Sequence, residues 1–124
     1  MKQLYLIWYE PDLLNEIGIL EYNDENYKFY YTNFEKNDLQ IFSKNGLFPG
    51  FEDLNKEYES DILFPNVSNR LPRTSRIDYD KIKVYYDIKD NDNEFNILEK
   101  TQGKVSTDHF LFVSQEKLNE LKNK

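Results

Sequence analysis

The sequence predicts a small α+β domain, in which an antiparallel β-sheet made of an N-terminal meander and one C-terminal strand packs with a few short helices. Ten Tyr and nine Phe occur among 124 residues, and Ala is absent. Aromatic side chains favour the half-buried surface of a sheet, whereas Ala is the strongest helix former. Short apolar runs separated by polar turns fill the first third of the chain. The length suits a single domain that spans residues 1–124.

The first elements are predicted to be the strands of a β-meander. Leu4–Tyr9 is a nearly continuous apolar run, as expected of a strand that is buried on both faces. Ile17–Tyr22 and Tyr27–Thr32 flank the polar cluster 23–26, and two apolar runs joined by a tight Asn/Asp turn indicate a β-hairpin. Residues 34–42 fit no single period, so both a short irregular helix and a loop remain open there.

The middle of the chain is predicted to hold turns and short helices. Leu47–Phe51 is apolar but contains Pro-Gly, which is a turn pair. Side-chain oxygens that can accept a bond from an early backbone N–H are expected to cap two of three candidate helices. The predicted helices are one capped by Asp53 that runs through Tyr58, one capped by Ser60 or Asp61 that runs through Asn69, and one that starts at Ser75 or Asp78 and carries Tyr79, Ile82 and Tyr86.

The last third is predicted to be a helix, a strand and a terminal segment. Glu94–Gln102 has apolar residues at helical spacing, and Gly103 stands where a left-handed C-terminal cap is wanted. Asp108–Val113 is predicted to be a strand, because it ends in four apolar residues, 110–113. Residues 115–124 are mostly polar, so we expect a frayed terminal helix or a tail.

The charge balance bears on the kind of partner. The formal net charge is −7, from 23 acidic and 16 basic residues. This charge disfavours sequence-independent binding to the phosphates of nucleic acids, and it favours binding to a basic partner. The absence of Cys excludes disulfides, thiolate metal sites and a Cys nucleophile, and it fits a reducing cytoplasm. Glu10-Pro11-Asp12 ends the first apolar run, so neither a secretory leader nor a membrane span is expected.

No constellation of residues predicts catalysis, a metal or a cofactor. Asp90–Glu94 resembles the start of a calcium loop, but Phe95 stands where that loop requires Gly, and Thr101 stands where it requires a bidentate Glu. His109 is the single histidine. The run 106–109 contains triad residue types, yet contiguous strand residues alternate between faces and cannot meet in a triad.

A basic run stands out within the acidic chain. Arg70, Arg73 and Arg76 recur every three residues around Leu71-Pro72. Arg forms bidentate hydrogen bonds with carboxylates and phosphates. Two interpretations of the basic run are therefore open. These residues either form salt bridges with the domain's own acidic residues, or they form a docking patch for an acidic surface or a phosphate. Aromatic residues that suit either a core or an interface are Trp8 and the tyrosine pairs at 30–31 and 85–86.

Several segments carry a family resemblance when they are taken in order. They are a short apolar strand, an Ile-Gly-Ile-Leu strand, a strand with Phe-Tyr-Tyr, a segment that corresponds to an apolar Pro-containing strand, a Phe-containing segment that ends in Asn-Arg-Leu-Pro, a helix that begins near an Arg, a helix that ends at Gly, and an apolar strand. The matching ranges are Leu4–Tyr9, Ile17–Leu20, Tyr27–Tyr31, Leu47–Phe51, Leu63–Pro72, Arg76–Ile82, Ile97–Gly103 and Phe110–Val113.

This order resembles the N-terminal subdomain of HipA-type serine/threonine kinase toxins, which also occurs free-standing as HipS in HipBST toxin–antitoxin systems. The resemblance covers nearly the whole chain. It departs from the family at Asp108-His109-Phe110, where Gly-Ala-Leu is usual, and in residues 83–93, which are longer and more acidic here.

The resemblance implies an antitoxin that binds and restrains a HipA/HipT-type kinase, together with a HipB-like helix-turn-helix protein that binds operator DNA. The residues that bind ATP and Mg²⁺ belong to a kinase body that this sequence lacks, so the resemblance implies no catalytic and no cofactor residues. The aromatic supply and the basic run suggest the contact surface. Its predicted residues are Trp8, Phe64, Arg70, Arg73 and Arg76.

Other classes of function stay open. A nucleic-acid-binding or adaptor module of the small β-barrel type, such as the HIRAN class, would use aromatic rings for stacking and Arg for phosphates. The net acidity and the lack of interleaved Lys and Arg argue against it. A small hydrolase is a third class, but no carboxylate or histidine has a partner at a meaningful spacing.

Overall fold

Five antiparallel strands form one sheet, in the order β4-β3-β2-β1-β5, in the described part of the computed structural model of the chain. The structure describes residues 2–10, 13–32, 48–106 and 108–123. Four short helices accompany the sheet within these residues, which confirms the predicted α+β class. The strands are β1 (Lys2–Glu10), β2 (Leu13–Asn23), β3 (Asn26–Tyr31), β4 (Tyr58–Ser60) and β5 (Phe110–Val113). The helices are α1 (Pro65–Ser68), α2 (Tyr79–Tyr86), α3 (Glu94–Thr101) and α4 (Gln115–Lys122).

The hairpin that joins β2 and β3 turns at Asp24 and Glu25, whose φ angles are 49° and 66°. Two positive φ angles between paired strands define a turn that matches the twist of a hairpin. Asn23 pairs with Asn26 at its base, so the predicted β-meander is confirmed. A β-bulge interrupts the β1–β2 ladder at Ile17, because Leu6 pairs with Gly18 while Ile7 pairs with Glu16.

The main core lies on one face of the sheet. Leu4, Leu6 and Trp8 alternate along β1 and face it, as the two-residue period of a strand requires. Aromatic rings fill much of this core, and the rings of Phe29 and Phe51 stack with centroids 4.1 Å apart. The helices contribute buried side chains to it, which are Val67 of α1 and Phe95 and Leu98 of α3.

The opposite face of β1 and β5 is covered by the C-terminal helix. Leu118 of α4 is 1% exposed and lies in a cluster with Ile7 and Val113. The Ser114 side chain caps the helix by accepting a bond from the Lys117 N–H at 3.2 Å. The segment predicted to be a frayed helix or tail is therefore a docked helix through Lys122, because Leu118 buries its side chain against the sheet.

The helix predicted from Asp53 to Tyr58 is absent, since residues 53–57 form turns and Tyr58 starts β4. The Asp53 carboxylate accepts a bond from the Asn55 N–H at 2.9 Å, two residues ahead, which closes a turn instead of capping a helix. Tyr58 pairs with Phe29 of β3, so the backbone at Tyr58 forms part of the sheet and not of a helix.

The helix predicted from Ser60 or Asp61 through Asn69 is reduced to α1. Ser60 Oγ accepts from the Ile62 N–H at 3.2 Å, which forms a local turn. Pro65 stands at the start of α1, where its fixed φ and missing N–H are tolerated, and a proline further inside would break the helix. The proline therefore sets where the helix can begin.

Residues 48–51 form a turn and not the Pro-containing strand that the family resemblance implied. Phe51 donates its N–H to the Phe48 carbonyl at 2.9 Å, and Gly50 has a φ of 90°. The Tyr31 hydroxyl donates to the Phe51 carbonyl and accepts from the Phe48 N–H, and burial raises its pKa. Leu47 and the ambiguous segment 34–42 lie outside the described residues.

The remaining predicted elements are confirmed within one or two residues. Asp78 precedes α2, and the Asn93 side chain caps α3 by accepting from the Asn96 N–H at 2.8 Å. Gln102 and Gly103 follow α3 in left-handed conformations, with φ angles of 62° and 59°. No helix in the described part of the chain is long and apolar enough to cross a membrane.

Candidate partner-binding surface

Arg70, the first residue of the basic run, is a structural residue. It lies just after α1 and its side chain is 7% exposed. Its Nη1 and Nη2 donate to Oδ2 and Oδ1 of Asp108 at 2.8 and 2.7 Å. Its Nε donates to the Gly103 carbonyl at 2.7 Å, and Nη2 donates also to the Phe110 carbonyl at 3.0 Å. One guanidinium therefore joins three separate parts of the chain.

The environment of Asp108 favours its ionised carboxylate. Partial burial alone would raise the pKa of the Asp108 carboxyl, but the hydrogen bonds from Arg70 and from the Phe110 N–H hold it below its ordinary value. The Phe110 N–H donates to Asp108 Oδ1 at 3.1 Å. The guanidinium also lies 5.2 Å from the centroid of the Phe48 ring, which is within the range of a cation–π contact.

The outer edge of β5 is bonded by the same network. The Phe110 carbonyl accepts from Arg70, and the Phe110 N–H donates to Asp108. The Phe112 N–H, which also points away from β1, donates to the Gln102 carbonyl at 2.8 Å. These backbone groups therefore have partners within the chain although β5 is the last strand of the sheet.

Arg73 and Arg76 are exposed, unlike Arg70. Arg76 donates to both carboxylate oxygens of Asp78, at 2.9 and 3.0 Å, and this lowers the pKa of Asp78. No ion pair joins Arg73 to any other residue that the structure describes. Arg70 and Arg76 thus take the salt-bridging role among the two that the sequence left open, and Arg73 remains available.

The five predicted contact residues do not share one exposed surface. Trp8 and Phe64 are each 8% exposed and lie in the main core. The Trp8 ring contacts Phe110 edge-on at 5.0 Å, and the Phe64 ring contacts Phe51 edge-on at 5.0 Å. Only the two exposed arginines of the predicted set can reach a partner without rearrangement of the fold.

These arginines line a groove of about 480 Å³ between the basic run, α2 and the turn that follows α3. Cations and apolar side chains share its walls, and Asp and Glu are absent from the described residues that line it. Its cations are Arg70, Arg73, Arg76 and Lys104, and its apolar residues are Leu71, Pro72, Ile82, Tyr86 and Val105. We call it the basic groove.

Helix α2 forms the outer wall of the basic groove and has no buried residue. Val84 and Tyr85 are 82% and 80% exposed, and Ile77, just before the helix, is fully exposed. We call these three residues the apolar patch. The sequence marked Tyr85 as a residue that suits either a core or an interface, but it did not single out Ile77 or Val84.

The calcium-like segment is occupied by lysines. Lys100 Nζ and the Lys89 N–H donate to Asp92 Oδ2 at 2.6 and 2.7 Å, which lowers the pKa of Asp92. Lys83 forms an ion pair with Asp90. No group of three or more potential metal ligands of the His, Cys, Asp or Glu type occurs in the described ranges.

The residues of the triad-like run point to separate partners. The Asp108 carboxylate is bound by Arg70, while His109 Nδ1 lies 2.9 Å from the Tyr9 carbonyl. The His109 ring also lies against Trp8, with centroids 5.1 Å apart. Thr107 lies outside the described residues. Among the described residues, the candidates for contact with a partner are therefore the exposed side chains of the basic groove and of the apolar patch.

Comparisons of this chain with protein-family models, with curated proteins and with solved structures found no match.

Proposed function

We propose that this chain is a non-enzymatic protein-binding module that acts as an antitoxin in the cytoplasm and restrains a HipA/HipT-type serine/threonine kinase. The observation that carries the binding function is the apolar patch on and beside α2. The family resemblance of the sequence supplies the identity of the partner and the association with a HipB-like helix-turn-helix protein.

An eight-residue helix is marginal in water without tertiary packing. Most helices bury an apolar face, yet α2 presents Val84 and Tyr85 to solvent. Adjacent exposed apolar side chains with an aromatic member are typical of the centre of a protein interface. The Tyr85 ring is held edge-on against Tyr86 at 4.8 Å, so part of its conformational freedom is already restricted before binding.

The proposed mechanism is steric and conformational. The module occupies the place of the subdomain that is fused in longer homologues, and it holds the kinase short of its active state. The apolar patch forms the centre of the contact, and Arg73 and Arg76 form a charged rim that sets orientation and association rate.

The test is affinity purification of the tagged chain from its native host, followed by mass spectrometry and by co-expression of the recovered kinase. We expect a HipA-type kinase in the eluate, and we expect co-expression of the chain to relieve its toxicity. The double variant Val84→Ser/Tyr85→Ser should lose both capture and relief, because it removes the apolar centre without touching a buried residue.

Lys81→Ser is the matched control, since Lys81 is an exposed residue of the same helix and is not part of the apolar patch. Its capture of the kinase should equal that of the wild type. Recovery of no kinase, or equal capture by the double variant and the wild type, would contradict the proposal.

A further inference from the structure

We infer that the basic groove docks an acidic, extended segment of a partner protein, whose carboxylates pair with Arg73 and Lys104 while an apolar side chain enters between the groove walls. The inference rests on the proposed function. It adds the chemical character of the partner segment that the module binds. It concerns a surface beside the apolar patch and not the patch itself.

The charges of the basic groove oppose those of the whole chain. The net charge is −7, yet the described residues that line the groove include four cations and no carboxylate. Asp108 neutralises Arg70, and Asp78 neutralises Arg76. Arg73 and Lys104 are exposed and form no ion pair with the described part of the chain. The groove thus offers a ligand two cations that have no ion-pair partner among the described residues.

The apolar walls define the second requirement. Leu71 and Pro72 lie on one side, and Ile82 and Tyr86 of α2 lie on another, each of them only partly buried. A groove of about 480 Å³ is far larger than a single anion and is within the range of pockets that enclose a side chain or a short segment. A ligand that fills it must therefore bring apolar area as well as charge.

The groove is preformed on one side. Arg70 Nε ties the basic run to the turn after α3 through its bond to the Gly103 carbonyl. The Leu71 N–H donates to the Ser68 carbonyl at 3.0 Å, which continues the last turn of α1 into the groove wall. Fixed walls reduce the ordering cost that a bound segment must overcome.

The same features favour a protein segment over nucleic acid. Binding to nucleic acid depends on neutralising several successive phosphates, and the affinity then falls steeply with salt. Two cations that lack an ion-pair partner in the described part of the chain, set beside apolar walls, suit alternating carboxylates and apolar side chains better. The acidic remainder of the chain also repels a long polyanion.

Fluorescence anisotropy with a fluorescein-labelled peptide of alternating Glu and Leu tests the inference in the intact chain. The comparison probes are the peptide with Lys in place of Glu and a labelled single-stranded oligonucleotide. Of the three probes, we expect only the Glu–Leu peptide to bind. Arg73→Glu/Lys104→Glu should weaken the affinity for this peptide by at least about tenfold, because reversing charges that lie close to a ligand weakens an interface strongly.

The matched control is Lys56→Glu/Lys81→Glu, which changes the net charge equally at exposed positions outside the groove. It should alter the peptide affinity by less than about twofold. If both double variants weakened the peptide affinity equally, the affinity would depend on the net charge of the chain and not on the groove, and the inference would be overturned. Absence of peptide binding, or preferential binding of the oligonucleotide, would also overturn it.

The two proposals fail separately. Suppose that the wild-type chain binds no Glu–Leu peptide, while Arg73→Glu/Lys104→Glu still captures the kinase and relieves its toxicity. The inference is then wrong and the antitoxin function stands. If the peptide binds in the groove and no kinase is recovered from the host, the antitoxin function is wrong and the docking surface stands. Thermal unfolding of Arg73→Glu/Lys104→Glu should match the wild type, since both substituted side chains are exposed.

Discussion

Arg70 and Asp108 lie 38 residues apart in the sequence and are joined by two parallel hydrogen bonds of 2.8 and 2.7 Å. This fork-to-fork arrangement is the strongest geometry available to an arginine and a carboxylate. It fastens the segment after α1 to the residues that lead into β5. A chain whose helices are four to eight residues long depends on such cross-links for the relative placement of its elements.

Arg70→Ala should lower the free energy of unfolding by about 3 kcal/mol, because it leaves a partly buried carboxylate and two backbone carbonyls without their donor. Arg70→Lys should be destabilising too, since an ammonium cannot reproduce the planar fork. Urea unfolding measures both. Arg73→Ala, the exposed control, should change stability by no more than about 0.5 kcal/mol, and an equal loss in this variant would contradict the assignment.

Asp108 should make stability depend on pH in the acidic range. Its pKa is lowered in the folded chain, so the stabilisation is fully present above the unfolded carboxyl pKa of about 3.9 and is lost as the pH falls through the lower folded value. The stability difference between the wild type and Asp108→Asn should therefore shrink as the solution is acidified below about pH 4. Urea unfolding at a series of pH values measures it, and a difference independent of pH would contradict the prediction.

Gly18→Ala should destabilise the chain by about 1–3 kcal/mol through overpacking. A Cβ at this position would lie 2.7 Å from Cζ of Phe29 and 3.1 Å from the Tyr30 carbonyl oxygen. A double-mutant cycle with Phe29→Leu identifies the cause, since the penalty of Gly18→Ala should fall when the ring is removed. An unchanged penalty would assign the effect to the backbone instead.

Leu118→Ala should cost about 2–5 kcal/mol in unfolding free energy, as expected for a buried leucine whose cavity cannot fully collapse. Leu118 is 1% exposed beneath β1 and β5, whereas Leu121 of the same helix is only partly buried. Leu121→Ala should therefore cost less and serves as the control. Equal stability of Leu118→Ala and the wild type in thermal or urea unfolding would mean that α4 is not docked.

The β-meander could be predicted because strand period and turn chemistry are local. Asn23-Asp24-Glu25-Asn26 between two apolar runs carries the hairpin signal within four residues. The helix predicted from Asp53 failed because its last residue, Tyr58, pairs with Phe29 of β3, and such a contact is invisible in a local pattern. The helix predicted from Ser60 or Asp61 begins only at Pro65, because a proline is tolerated in the first turn of a helix and not in its interior.

The candidate surface was predictable only in part, for a related reason. The spacing of Arg70, Arg73 and Arg76 identified a basic run but could not tell which arginine finds a buried carboxylate 38 residues away. Trp8 and Phe64 are aromatic residues that suit a core and an interface equally, and only the packing of the sheet places them inside. Which apolar residues of α2 stay uncovered likewise depends on what packs beside the helix.

The bonds along the outer edge of β5 also limit how the sheet can grow. A terminal strand with free backbone groups is a template on which another chain can add a strand and begin an aggregate. Here Arg70, Asp108 and Gln102 already satisfy the Phe110 carbonyl and the N–H groups of Phe110 and Phe112. At the opposite edge of the sheet, β4 is three residues long and carries Glu59, and both features disfavour the addition of a strand from another chain. The guanidinium that fastens the fold thereby also protects the protein from intermolecular sheet formation.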